Sequence, residues 1–196
     1  MLVFSVAVFF LLITPGPGVL SVAGVGSAFG SRYGLSYIAG LFVGTNLVAL
    51  AVVSGMAAVI LANPDIRLVL LIASAGYLLF LAARIAFSGS KIAFKEQLSP
   101  PGFWGGITLQ AINPKAYVVN TTFFTGFAFW PGSLMTETVL KLLIINAIWI
   151  PIHFLWLYAG VSLHRLQLPG HVQFRINVMM ALLMLAVVSL AAVAPK

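Results

Sequence analysis

Thr14-Pro15-Gly16-Pro17-Gly18 breaks an apolar run that extends from about Leu2 to Ala28, and Asn113-Pro114-Lys115 breaks a second one from about Phe103 to Trp130. Both runs are long enough to cross a bilayer, which takes roughly 20 mostly apolar residues. In hydrocarbon an unpaired backbone N–H or C=O costs several kcal/mol, so irregular backbone survives at depth only when protein buries it or a cavity hydrates it. Proline removes a donor and clashes with the preceding turn, and glycine admits conformations that other residues avoid. Two interrupted spans at corresponding places in two halves of a chain point to a transport site.

Around these breaks the composition is that of a polytopic helical membrane protein. The chain has 196 residues, 62% hydrophobic and 7% charged, far from the usage of soluble domains. Long unbroken apolar runs exclude the alternating pattern of a membrane β-barrel. The net charge of +7 is spread over loops rather than gathered into a basic stripe, which argues against nucleic acid as a partner. With no cysteine, disulfides and thiolate chemistry are excluded. No phosphate-binding glycine loop ends in Lys-Ser or Lys-Thr, so the chain does not hydrolyse ATP itself. No cofactor and no metal site is expected. The first apolar run is longer than a signal-peptide core and lacks a basic start, so it reads as a retained helix.

Six spanning segments are expected, at about Leu2–Ala28, Leu35–Ala62, Leu68–Phe87, Phe103–Trp130, Leu140–Leu163 and Ile176–Val193. Turns are expected at Ser31-Arg32-Tyr33-Gly34, Asn63-Pro64-Asp65, Ser88 to Gly102, Pro131-Gly132-Ser133 and His164 to Gln173. Six segments divide as three plus three, and an odd number in each half inverts the second half relative to the first. The prediction is one transmembrane domain over residues 1–196, built from inverted halves of about 1–98 and 99–196. With the N-terminus outside, Arg32, Arg84, Lys91, Lys95, Arg165 and Arg175 lie inside, against Arg67, Lys141 and Lys196 outside. The positive-inside rule then places both termini outside.

Helical rise sets the depth of the polar residues. Lys115 and Thr14 both fall about 18 Å into their segments at ~1.5 Å per residue, and Asn46 and His153 fall at about 17 and 20 Å. Half of a ~30 Å core is about 15 Å. Four segments therefore bring a polar residue to one level. A lysine at the bilayer centre costs roughly 2.5–3.5 kcal/mol on insertion scales. Asp65, Glu96 and Glu137 all fall in turns or at interfaces. The partners open to Lys115 are carbonyls freed by Pro114, the amides of Asn113, Asn120 and Asn46, or a substrate carboxylate. The broken first helix should present free N–H groups at a half-helix start, a cradle for an anion. The candidate substrate-binding residues are Thr14, Pro15, Gly16, Pro17, Asn46, Asn113, Pro114 and Lys115. His153, after Pro151, is a candidate proton relay.

Blander readings stand beside these. Lys115 can snorkel along its helix, the prolines can mark a plain kink, and His153 can be a neutral bridge between helices. Asn46, Thr45, Thr14, Asn120 and Asn146 can line a polar path or glue helices together. Gly40 and Gly44 are read as close helix packing, and Trp104 and Trp130 as interface anchors.

Thr14-Pro15-Gly16-Pro17, Gly76-Tyr77-Leu78-Leu79-Phe80-Leu81 and Asn113-Pro114-Lys115-Ala116 together make the chain resemble the LysE/RhtB amino-acid exporter family. The order and spacing agree across nearly the whole chain. The resemblance implies a six-helix, multi-pass protein of the bacterial inner membrane, not an enzyme, that exports amino acids or related small molecules by antiport with protons. It also leaves room for a homo-oligomer. Two positions depart from the family pattern. Gly18 stands where the family commonly has Asn, and Asn46 stands where members often carry an acidic residue. Without that carboxylate the expected substrate is a neutral zwitterion rather than lysine or arginine. The rival readings are an uncoupled channel, a membrane-embedded partner subunit and an intramembrane enzyme, the last disfavoured because the Ser and His residues are scattered without helical pairing.

Overall fold

A computed structural model describes residues 1–86, 100–166 and 168–193, and among them every regular element is a helix. In chain order they are α1 (Leu2–Ile13), α2 (Pro17–Val53), α3 (Met56–Ala62), α4 (Pro64–Ala86), α5 (Phe103–Ile112), α6 (Pro114–Thr125), α7 (Leu134–Arg165) and α8 (Gly170–Val193). Three are long and apolar enough to cross a membrane unaided, within Pro17–Val53, Pro64–Ile85 and Leu134–Arg165. The lysines and the glutamate expected between Ser88 and Gly102 lie outside the described residues, as does Lys196.

Both predicted breaks are present. α1 ends at Ile13, Thr14 leaves the helix at φ −57° and ψ 126°, Gly16 is extended, and α2 restarts with Pro17 in its first turn. α5 ends at Ile112, Asn113 is extended, and α6 restarts on Pro114. A proline suits the first helical position, since its missing N–H would be unpaired there anyway.

Other boundaries move. The turn expected at Ser31–Gly34 is helical; the irregular residue is Gly30, at φ 78° and ψ −175°, a conformation only glycine adopts readily. The second span, expected to run unbroken to Ala62, stops at Val53, because Gly55 takes a left-handed φ of 78° and α3 starts beyond it. α6 stops at Thr125, short of Trp130. α7 begins at Leu134, six residues earlier than expected, because the Ser133 hydroxyl accepts from Thr136 N at 3.2 Å and caps it. Pro151 sits inside α7 without ending it. Asn63 plays the same capping part for α4, accepting from Asp65 N at 2.8 Å.

Side-chain neighbours give the directions. Phe4 lies near Lys141, Gly18 near His153, Ala23 against Gly160 and Gly30 near His164. Residue numbers rise together, so α1 and the arm of α2 before Gly30 run parallel to α7. Beyond Gly30 the pairs are Gly34 with Leu157, Phe42 with Trp149 and Asn46 with Asn146. Here one number rises as the other falls, so α2 is a hairpin folded at Gly30 and its second arm opposes α7. That second arm is parallel to α5, with Gly40 on Phe103 and Gly44 on Gln110. α6 opposes α1, with Phe4 on Phe123 and Thr14 on Lys115. The two broken spans therefore run in opposite senses.

The expected close packing at Gly40 and Gly44 is found. A Cβ on Gly40 would sit 1.8 Å from the Phe103 carbonyl oxygen, so the backbones of α2 and α5 touch where any side chain would part them. Small residues allow such approach in bilayers, where apolar burial gives helices little reason to associate. The largest core cluster has Tyr37, Leu41, Leu78, Leu81, Ile85, Leu109 and Trp149 fully or nearly buried. A smaller one is made of Phe4, Val8, Val119, Phe123 and Ile145, and Leu12 packs against both. Trp104 and Trp130 are exposed, while Trp149 is buried.

Candidate functional site

A cavity of about 60 Å³ opens where the two breaks meet, with room for a few waters. Its polar wall is Thr14, Thr45, Gln110, Asn113, Lys115, Asn120 and His153. Its apolar wall includes Leu12, Val19, Phe123, Ile145 and Trp149.

Lys115 comes from the first turn of α6, where Asn113 Oδ1 accepts from its backbone N–H at 3.1 Å. Asn113 is held in turn, its Nδ2 donating to Gln110 Oε1 at 3.1 Å. The ammonium reaches across to the other broken span, and Nζ donates to the Thr14 carbonyl at 3.0 Å. The carbonyl that serves it is thus one freed by the first break, not by Pro114. Gly16 makes the reach possible. A Cβ there would lie 2.8 Å from Nζ and 3.0 Å from Cδ, so the lysine lies over the space a side chain would take. Lys115 is half-buried and lines this cavity.

Cations are stabilised at a helix C-terminus and anions at an N-terminus. Thr14 closes α1, so the ammonium sits at a carbonyl end. Gly16 and Pro17 open α2, and no side chain caps that start. Gly18 and Val19 follow in its first turn and line the cavity. The first N–H groups of a helix have no partner within it, so positive backbone dipole and a lysine bound the same space.

His153 is 3% exposed. Its ring stacks on Trp149, centroids 3.5 Å apart and planes within 14°. Its Nδ1 lies 2.9 Å from the Trp149 carbonyl. A carbonyl only accepts, so Nδ1 carries the proton and Nε2 keeps a lone pair in the neutral ring. That Nε2 lies 3.7 Å from where a Cβ of Gly18 would be, at the start of α2.

Of the residues singled out from sequence, Thr14, Gly16, Asn113, Lys115 and His153 share the cavity. Pro15, Pro17 and Pro114 shape the breaks and lie outside its lining. Asn46 also lies outside, in a reciprocal amide pair with Asn146 (Nδ2 to Oδ1 at 3.1 Å one way and 2.9 Å the other). Gln110 and Trp149 were not among the candidates. Their signal is periodicity: each stands one turn before a marked residue, Gln110 before Asn113 and Trp149 before His153. Among the described residues no cluster of three or more His, Asp or Glu is arranged to hold a metal.

The model of a family described as LysE type translocator matches residues 9–194. Among curated relatives, a leucine efflux protein of Klebsiella pneumoniae is 29% identical over 132 residues, 64% of this chain and 62% of that protein. A leucine efflux protein of an Enterobacter species is 28% identical over 129 residues, 63% of this chain and 61% of that protein. The matched stretch thus spans about six tenths of each relative's length. No solved structure matches the chain.

Proposed function

We propose, given that this chain belongs to the LysE type translocator family, that it is a secondary exporter of neutral, zwitterionic amino acids. A translocator of this kind is a membrane protein and not an enzyme. The observation that carries the reading is the convergence of two half-helix starts and the Lys115 ammonium on one cavity whose described lining holds no Asp or Glu. A substrate carboxylate would sit between Lys115 and the free amides at the start of α2, as anions do at helix N-termini. The apolar wall of Leu12, Val19, Phe123 and Ile145 would take an aliphatic side chain. The relatives named leucine efflux proteins support that size and polarity. A lysine substrate would bring a second ammonium to a site with no fixed anion.

The opposed broken spans support an inverted repeat of halves 1–98 and 99–196, which would rock about the cavity to give alternating access. His153, with an acceptor nitrogen in the cavity wall, is the proposed proton relay of an antiport. The proposed setting is the bacterial inner membrane, with both termini outside.

Efflux from proteoliposomes tests the reading, with labelled leucine and labelled lysine compared with and without an imposed pH gradient. Saturable leucine efflux with counterflow, accelerated by protons moving the other way, is expected. A preference for lysine would overturn the neutral-substrate assignment. Unsaturable flux without counterflow would mark a channel, and flux only with a co-purifying protein would mark a partner subunit.

A further inference from the structure

We propose that Lys115 is a resident stand-in for the substrate's own ammonium group, so that the Thr14 carbonyl forms the ammonium subsite and Lys115 decides which ligands may use it. The inference rests on the reading of this cavity as an amino-acid site. In the structure the Thr14 carbonyl is occupied, with Lys115 Nζ 3.0 Å away. It is the best cation position in the cavity. It closes α1, where the helix dipole is negative. The other acceptors are neutral side chains, since the described lining contains no carboxylate. Gln110 Oε1 already accepts from Asn113, and Asn113 Oδ1 from Lys115 N. Asn120 Oδ1, the Thr45 hydroxyl and His153 Nε2 remain, neutral side-chain acceptors that lack the dipole of a helix end.

A zwitterion resolves this arrangement by exchange. Its carboxylate pairs with the Lys115 ammonium and draws it off the Thr14 carbonyl, since a charge-assisted bond is stronger than one to a neutral carbonyl. The vacated carbonyl then accepts from the substrate ammonium. The lysine end is free to move, being the tip of a flexible side chain lying over Gly16. Charge and hydrogen bonds balance before and after. A lone cation meets an occupied carbonyl and a like charge beside it. A lone anion frees the carbonyl and leaves it bare. Discrimination of this kind comes as much from repulsion of the wrong ligand as from attraction of the right one.

The experiment is competition against labelled leucine on the purified full chain in lipid nanodiscs. The probes are leucine, 3-methylbutylamine and 4-methylpentanoate, which share one aliphatic tail. Wild type should prefer leucine to the amine by at least about tenfold, and Lys115→Met should invert the order, the amine gaining and leucine losing at least about tenfold each. Amine affinity is then followed directly with labelled amine. Should Lys115→Met not elute as a single species, Lys115→Gln replaces it, neutral but polar, with the same inversion expected. If leucine binding is lost and amine affinity stays unchanged, Lys115 is only a carboxylate receptor and the stand-in role is overturned. Equal binding of leucine and amine to wild type overturns it as well, while leaving the exporter reading intact. No binding of any neutral amino acid to wild type would overturn the exporter reading, and this inference with it.

Discussion

Two lysines among the described residues are drawn into the fold, Lys141 fully and Lys115 by half, and their surroundings are opposites. Lys141, in the second turn of α7, is 2% exposed and stands 2.7 Å from Glu137 Oε1. It also donates to the Phe124 and Phe127 carbonyls, and the Phe129 ring centroid lies 5.7 Å away. Glu137 in turn accepts from the N–H groups of Phe129 and Trp130, at 3.3 and 2.8 Å. This circuit closes within the protein and ties the α6–α7 connection to the first turns of α7. Lys115 has a neutral backbone carbonyl from the opposing broken span and a cavity lined, among the described residues, by no carboxylate. A buried charge that the fold itself satisfies holds structure together. One whose counter-charge is left out of the fold is free to take it from a ligand.

The largest effect that can break this contrast is expected at Lys141. Lys141→Met takes the cation away from Glu137 and the donor away from the Phe124 and Phe127 carbonyls, and breaking such a pair by removing one partner is destabilising. Thermal unfolding in detergent should show it as a large drop in midpoint. The double variant Glu137→Leu with Lys141→Met should recover much of the loss, because an apolar pair of similar volume is often no worse than a buried ion pair. If the single variant unfolds at the wild-type temperature, the structural role given to the pair is wrong.

Next comes Lys115→Met. Its expected signature is the reverse: an unchanged unfolding midpoint and a fall in leucine efflux of roughly 10- to 100-fold, the scale of a lost charge-assisted hydrogen bond. A variant that melts early and still transports would reverse the two roles. Gly16→Ala sharpens the comparison at smaller scale. The added methyl would lie 2.8 Å from Nζ, which can swing aside. A few-fold loss of leucine affinity with little change in maximal rate is expected, read from the concentration dependence of efflux.

The difference between the lysines also marks how far the chain could be read without coordinates. Lys141 was counted among the outside loop charges that orient the helices, yet it is buried with Glu137. Nothing local distinguishes a solvated i,i+4 pair from a buried one. What buries it is Phe4, more than a hundred residues away, together with the turn that follows α6. Lys115 was legible because its depth and its proline neighbour are both local facts. The same division runs through the helix boundaries. Asn63 and Pro64 announce a helix start in their own chemistry, whereas the reversal at Gly30 competes with a run of other glycines that look alike in sequence. Asn46 was assigned to the site by depth. Depth sets the level of a residue along the membrane normal but not the direction in which it faces, and here it meets Asn146.

Composition and proline chemistry alone therefore determined that this is a helical membrane protein with two interrupted spans and a lysine at one of them. These follow from rules that act within a few residues: the length of an apolar run, a missing backbone donor, a charge placed among aliphatic neighbours. Only the tertiary structure decided that the ammonium of one broken span rests on the end of the other, that Gln110 and Trp149 join the cavity, and that Asn46 does not. Those outcomes depend on which helices touch and how each is rotated. Side-chain packing between segments about a hundred residues apart sets both, and no local pattern carries that information.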